Sequence, residues 1–399
     1  MSLLINDDIK VICGYLIELR RKELYRGNKE FLLKNFLMNN GVPLCDKRTY
    51  HRLVNFNPFS DDYLYDVLLK KLGLSISDNR RIYQNIENVC IKLEKLYEFN
   101  KQDEIICLCE KYLAKYTNSS CIYLEEICKM FDCIKSYLNG DLRRMAIKLN
   151  HIQQVMPILP VSINYVLYDI LYDFYQTNDP SKLEELINNK CFNKDIYFLF
   201  FRYISYLAYN QQIISCYRTL EGHKTEILET RNNNYIAKYY LIHYLLIYQY
   251  DRLNLECENK EIKALLSNMS SDEIKGDILY NIALLMYRDR NYNEAYSFFD
   301  SVNFEDLKLK ILIYSLEDKL GIANKSTIEL IEEDDSLAYF NNYFYYKSNG
   351  YDDKFLEKYI LSIDKRKIKH LVFFSIFEEE LSYLVLTTRN YSKVQKFLS

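Results

Sequence analysis

The sequence has no tryptophan and only 9 glycines, 5 prolines and 5 histidines in 399 residues. A β-sandwich or barrel needs turn-forming residues at every hairpin, so this scarcity argues against an all-β chain and for helices joined by short polar turns. Also missing are a Gly-rich phosphate loop, a His-Glu-x-x-His pair, a nucleophile elbow and any cluster of metal ligands. The histidines, at 51, 151, 223, 243 and 370, are isolated from one another. A non-enzyme without cofactor or metal is the expectation. Long apolar runs are absent as well: the most apolar stretch, Tyr197–Tyr209, is short and interrupted by Arg202, and Asp7, Asp8 and Lys10 break up the start of the chain. Neither a membrane span nor a signal peptide is expected, which places the protein in the cytoplasm. The 11 cysteines are odd in number and scattered, and the nearest two, Cys107 and Cys109, have the spacing of neither a zinc knuckle nor a thioredoxin-type pair. They read as reduced, mostly buried small hydrophobes.

What is present is 49% hydrophobic and 27% charged residues, enough apolar surface to bury a core, which argues against disorder, and enough charge to stay soluble. The 39 tyrosines, with abundant Asn, Ile and Lys, are what AT-rich codons supply, so part of the tyrosine richness is compositional. The length exceeds the roughly 150 residues of one ordinary domain and points to two parts, fitting one small domain followed by one long array as well as it fits two globules. A net charge of −3 excludes a wholly basic nucleic-acid coat, yet residues 1–80 hold 13 Lys/Arg against 10 Asp/Glu and leave −6 for the remainder. That asymmetry points to a nucleic-acid-facing N-terminal end.

The order of amphipathic segments in the first 75 residues is specific. Ile9, Ile12, Leu16 and Leu19 recur at helical spacing between Asp7-Asp8 and Arg20-Arg21-Lys22, acid first and base last as the helix dipole favours. A second helical run carries Phe31, Leu32, Phe36 and Leu37 and closes at Asn39-Asn40-Gly41. A short apolar turn, Val42–Cys45, leads to a third helix that Asp46 can cap. Its Tyr50, Leu53 and Val54 face inward and its Lys47, Arg48, Thr49, His51 and Arg52 outward. Ser60 is the expected cap of a fourth helix with Leu64, Val67, Leu68 and Leu72 buried, ending at Gly73. Short helices with a basic, Thr-containing third member after a tight turn are the layout of a helix-turn-helix, in which cationic side chains reach guanine edges or phosphate oxygens.

At these residues the chain resembles the heads of Gram-positive peptide-pheromone regulators, the group that includes Rgg-like, PlcR-like and PrgX-like proteins. The resemblance lies in the Leu16-Ile17-Glu18-Leu19-Arg20-Arg21 end of helix one, in Cys45-Asp46-Lys47-Arg48-Thr49-Tyr50-His51-Arg52, and in Leu68-Leu69-Lys70-Lys71-Leu72-Gly73-Leu74-Ser75. Helix two departs from the family pattern, with Lys29-Glu30-Phe31-Leu32 where a Gln and a small Ala are usual. The resemblance implies an all-α chain: a helix-turn-helix domain over 1–75, then a right-handed superhelical array of tetratricopeptide-like helix pairs over 76–399 that senses a peptide and dimerises.

Beyond Arg80 the chain reads as successive helices separated by Asn/Asp/Gly turns. The clearest pair is Leu279–Tyr287, then Arg290–Ala295 and Phe298-Phe299, where Ala283, Tyr292, Ala295 and Phe299 match the small-large-small-aromatic positions of a tetratricopeptide repeat. Weaker echoes are Ile196–Leu220 and Leu337–Ile363. The resemblance implies an inner wall built from each unit's first helix, and Asn281 falls where such receptors place an Asn that satisfies both a backbone N–H and a C=O of an extended peptide. Tyr280, Leu284, Tyr287, Arg288 and the later Asn341 are the companion candidates. Expected partners are double-stranded operator DNA, a short signalling peptide and a second copy of the chain, as in quorum sensing. Two alternatives share the architecture: a Rap-like adaptor or inhibitor of a partner protein without DNA binding, and a phage lysis-lysogeny pheromone receptor.

Overall fold

A computed structural model describes residues 7–25, 28–76, 80–250, 260–262, 264, 266, 272–300, 307–322, 328–331, 336–363 and 371–388. They form an all-α chain with one two-stranded hairpin, and the chain divides into two compact units, Met1–Cys216 and Tyr217–Ser399. The first unit opens with α1 (Asp7–Tyr25), a 3₁₀ turn (Lys29–Phe31), α2 (Leu33–Phe36), the strands β1 (Met38–Asn39) and β2 (Val42–Pro43), α3 (Lys47–Val54) and α4 (Asp62–Lys71). It continues through α5 (Arg80–Glu98), α6 (Gln102–Tyr116), α7 (Ile122–Leu138), α8 (Leu142–Val155), α9 (Val161–Asn178), α10 (Leu183–Ile187) and α11 (Tyr197–Tyr209) into α12 (Ile213–Gly222), which crosses the boundary. The second unit holds α13 (Lys224–Glu229), α14 (Asn233–Tyr250), α15 (Asp272–Arg288), α16 (Tyr292–Phe299), α17 (Leu307–Leu320), α18 (Ser336–Ser348), α19 (Asp353–Ile360) and α20 (Leu371–Thr388).

Neighbours in sequence are neighbours in space. Helices α5 to α8 pack each on the next, and so do α14 to α20, the near-neighbour pattern of a helical array. Left-handed residues end several helices: Asn100, Gly140, Gln211, Arg290 and Gly350 take positive φ just past the last turn, which lets the chain reverse in a few residues. At the α15–α16 contact the small side chains Ala283 and Ala295 are fully buried, and Phe299 fills the gap with Tyr280 edge-on at 5.7 Å. The segments expected as helix pairs at 196–220 and 337–363 are α11–α12 and α18–α19.

In the first 75 residues α1 lies against α3, α4 and α7. Ile9, Cys13, Leu16 and Ile17 of α1, Tyr50, Leu53 and Val54 of α3, and Leu64, Tyr65, Leu68 and Leu69 of α4 form one core. Two local expectations change. The run through Phe31 and Leu37 is not one helix, because Leu32 is extended (φ −59°, ψ 133°) and only Leu33–Phe36 coils. Asn40-Gly41 then makes a tight hairpin tip with both residues at positive φ, 49° and 82°, pairing Met38 with Pro43 and Asn39 with Val42. Asn-Gly suits a two-residue primed turn that matches strand twist, so the dipeptide builds a hairpin here instead of stopping a long helix. The cap of α4 is Asp61, whose side chain accepts from Tyr63 N–H, and not Ser60.

Candidate nucleic-acid interface and ligand groove

Helix α3 begins where the Asp46 carboxylate accepts the Thr49 N–H at 2.7 Å, a bond that holds the carboxyl below its ordinary range. Every third or fourth residue then turns inward, so Tyr50, Leu53 and Val54 are buried while Lys47, Arg48, His51 and Arg52 are exposed and Thr49 is half-buried. The inner face is tied to α1. Tyr50 Oη donates to Glu18 Oε2 at 2.7 Å, and Arg21 grips the same carboxylate through Nε and a terminal nitrogen, both at 2.8 Å. Burial pushes Glu18 up, but these bonds and the Arg21 charge outweigh it and the carboxyl stays below its usual value. Gly14 lets the two helices touch: a methyl added there would lie 2.9 Å from Leu53 Cδ2 and closer still to the Leu53 carbonyl oxygen.

Five cations elsewhere in the head are held by acids, whereas Lys29 and Lys34 are exposed and enter no salt bridge among the described residues. Lys10 pairs with Asp62, Arg20 with Glu23, Glu125 and Glu126, Arg21 and Lys22 with Glu18, and Lys70 with Asp66. Among the described residues Lys47, Arg48, His51 and Arg52 enter no salt bridge. All five residues expected to contact DNA therefore share one short helix, and four of them stand exposed on it.

The head does not stand apart from the helices that follow. Tyr15 Oη donates to the Gln154 carbonyl at 2.5 Å, Arg20 reaches Glu125 and Glu126 of α7, and His151 of α8 lies between Glu126 (Nε2, 2.5 Å) and Glu23 (Nδ1, 3.0 Å).

In the second unit a groove of about 470 Å³ is lined by Leu245 of α14, by Asn281, Leu284, Leu285, Tyr287 and Arg288 of α15, by Arg290, and by Val372, Ser375 and Glu379 of α20. It runs on into a more polar cleft of about 530 Å³, which shares Arg290, Ser375 and Glu379 and adds Tyr292, Lys319, Glu378 and Ser382. An apolar stretch with a few convergent polar groups is the usual make-up of a small-ligand site. Four of the six residues expected to hold a peptide, Asn281, Leu284, Tyr287 and Arg288, come together here. Asn281 and Arg288 are exposed, whereas the Tyr287 ring is buried and its hydroxyl bonds Ser315 at 2.7 Å, so Tyr287 contributes a wall more than a donor. Tyr280 packs on Phe299 away from the groove. Asn341 is also apart: it is buried, and its amide donates to the Glu329 carbonyl at 2.7 Å. The contribution of α20 was invisible to local motifs, because Ser375 and Glu379 join α15 only through the packing of the array. Lys319 holds Glu379 at 2.5 Å, while Arg290 stands 3.9 Å from the same carboxylate and is largely exposed.

Comparison with protein-family profiles, curated proteins and solved structures gave no match. Among the described residues no helix is long and apolar enough to cross a membrane, and no group of three His, Cys, Asp or Glu could hold a metal ion. Of the ten cysteines described, all are free thiols and most are buried; Cys257 lies outside the described residues.

Proposed function

We propose that this chain is a cytoplasmic transcriptional regulator that grips promoter DNA through α3 and takes a short signalling peptide in the groove of its second unit. The observation that carries the reading is the outer face of α3, where Lys47, Arg48 and Arg52, with His51, stand exposed together on one short helix and enter no salt bridge among the described residues. Such cations release counterions from a phosphate backbone and can read guanine edges. The groove supports the second half of the proposal. Asn281 lines the groove beside the apolar Leu245, Leu284 and Val372, with Arg288, Ser375 and Glu379 as further polar lining, a mix of apolar and polar wall that suits an extended chain with one or two apolar side chains. A pair of heads in a homodimer would match two operator half-sites.

The test is DNA binding with duplexes selected from a random-sequence library, read by fluorescence anisotropy across a salt series. Wild type should bind with a steep salt dependence, and the Lys47→Ala/Arg48→Ala/Arg52→Ala variant should lose up to about 2.7 units of the logarithmic salt slope along with most of its affinity. Binding that survives the triple change would remove the assignment of α3.

A further inference from the structure

The hairpin β1–β2 has no evident work inside the fold, yet it is firmly built. Lys71 of α4 donates to the carbonyls of Phe36 (2.9 Å) and Met38, and the Leu44 N–H closes on the Leu37 carbonyl at 2.8 Å, so the base of the hairpin is fixed to the head. Its tip faces water: Asn40, Gly41 and Pro43 are exposed, and Val42 is 65% exposed, unusual for a β-branched side chain in a strand. Among the described residues the side-chain amides of Asn39 and Asn40 make no hydrogen bond within the chain. Three residues, Leu44 to Asp46, separate the hairpin from the cationic start of α3, and Lys29 and Lys34, both exposed and outside any salt bridge, lie on the segment just before it.

A rigid, exposed ribbon with idle amide donors, bracketed by unneutralised cations, complements a polyanion. Resting on the assignment of α3 to DNA, we propose that the hairpin Met38–Pro43 is a second nucleic-acid contact, lying on the sugar-phosphate backbone beside the half-site read by α3. The amides of Asn39 and Asn40 donate to phosphate oxygens, as Asn commonly does, and Val42, on the same face of the ribbon as Asn39, covers the apolar side of a deoxyribose. The tip projects roughly 7 Å from its base, two residues of strand, which is enough to reach a neighbouring phosphate but not a second groove. The hairpin thus sets the register of α3 on the duplex and extends the site to one side of the sequence that α3 reads.

The experiment compares wild type, Lys47→Ala, and Asn39→Ala/Asn40→Gly/Val42→Thr on a duplex recovered by selection, with hydroxyl-radical footprinting and a salt series. Glycine accepts the positive φ of Asn40 and threonine keeps the β-branch of Val42, so the hairpin variant should melt as wild type does. Its affinity should fall about fivefold to thirtyfold with an unchanged salt slope, and protection should vanish on one flank of the half-site while the rest remains. Lys47→Ala should instead lower the slope by about 0.9. If wild type binds and the hairpin variant gives the same affinity and footprint, the proposal fails and the α3 assignment stands. An altered mass by light scattering with an unchanged footprint would also overturn it, by making the tip a contact between copies of the chain. Failure of wild type to retain any duplex would sink both readings.

Discussion

His151 has a carboxylate at each ring nitrogen, Glu126 at 2.5 Å and Glu23 at 3.0 Å. Only the doubly protonated imidazolium can donate to both. Burial pulls its pKa down, but hydrogen bonds to Glu126 and Glu23 and the Glu126 charge more than reverse this and raise it from 6.5 to about 9. A group whose folded value lies above its ordinary one adds stability in full below the ordinary value and loses it as the pH rises through the folded value. The stabilising window of His151 therefore closes between about pH 6.5 and about pH 9, and the shift corresponds to roughly 3 kcal/mol. The stability gap between wild type and His151→Asn, measured by urea denaturation, should shrink by about that amount across the window. A gap independent of pH, or a ring resonance in NMR that titrates at its ordinary value, would contradict the bridging role.

Elements in the head were legible wherever a local signal and the packing agreed. Asp46 caps α3 as its position predicts, and the alternation of Tyr50, Leu53 and Val54 with cations places the basic face outward. The hairpin was not legible, because Asn39-Asn40-Gly41 ends a helix and turns a ribbon with the same residues, and Lys71, more than thirty positions away in sequence, is part of what holds the ribbon base. In the groove, α15 was legible from its repeat signature, whereas α20 has no motif and is brought in by the array. Gly14 shows how tightly α1 seats α3. Replacing it with Ala gains up to about 1 kcal/mol of helix propensity, but the new methyl meets the Leu53 backbone, and overpacking of that kind costs about 1–3 kcal/mol. Gly14→Ala should lower the denaturation midpoint, since a carbonyl cannot rotate away as a side-chain end can; a stabilised variant would show that α3 slides freely. Helix α18 has a comparable anchor. Asn342 both accepts from Ile331 N–H (2.9 Å) and donates to the Ile331 carbonyl (2.8 Å), while Asn341 donates to the Glu329 carbonyl. At about 0.5–1.5 kcal/mol per bond, Asn342→Ala should cost the second unit about 1–3 kcal/mol in urea denaturation, and an unchanged midpoint would mean the 328–331 strap is not held there.

At the scale of the molecule, the head belongs to the first compact unit instead of hanging on a linker. The core of α1 is shared with α3 and α4, while its polar edge is fastened to α7 and α8 by Tyr15–Gln154, Arg20–Glu125, Arg20–Glu126 and the His151 bridge. Exposed ion pairs contribute little, but here Glu126 is almost wholly buried, so losing Arg20 and His151 leaves its charge with Lys129 alone, at 2.7 Å, and costs more than an exposed pair would. The head should consequently open to solvent together with α7 and α8. Hydrogen exchange in low denaturant should give the amides of α1, α3, α7 and α8 a common opening free energy. The Arg20→Ala/His151→Ala variant should split that value, with the head amides exchanging through a cheaper opening of their own and α7 keeping more of its protection. If the wild-type head already exchanges independently of α7 and α8, the charged contacts are superficial and the orientation of α3 is set within the head alone.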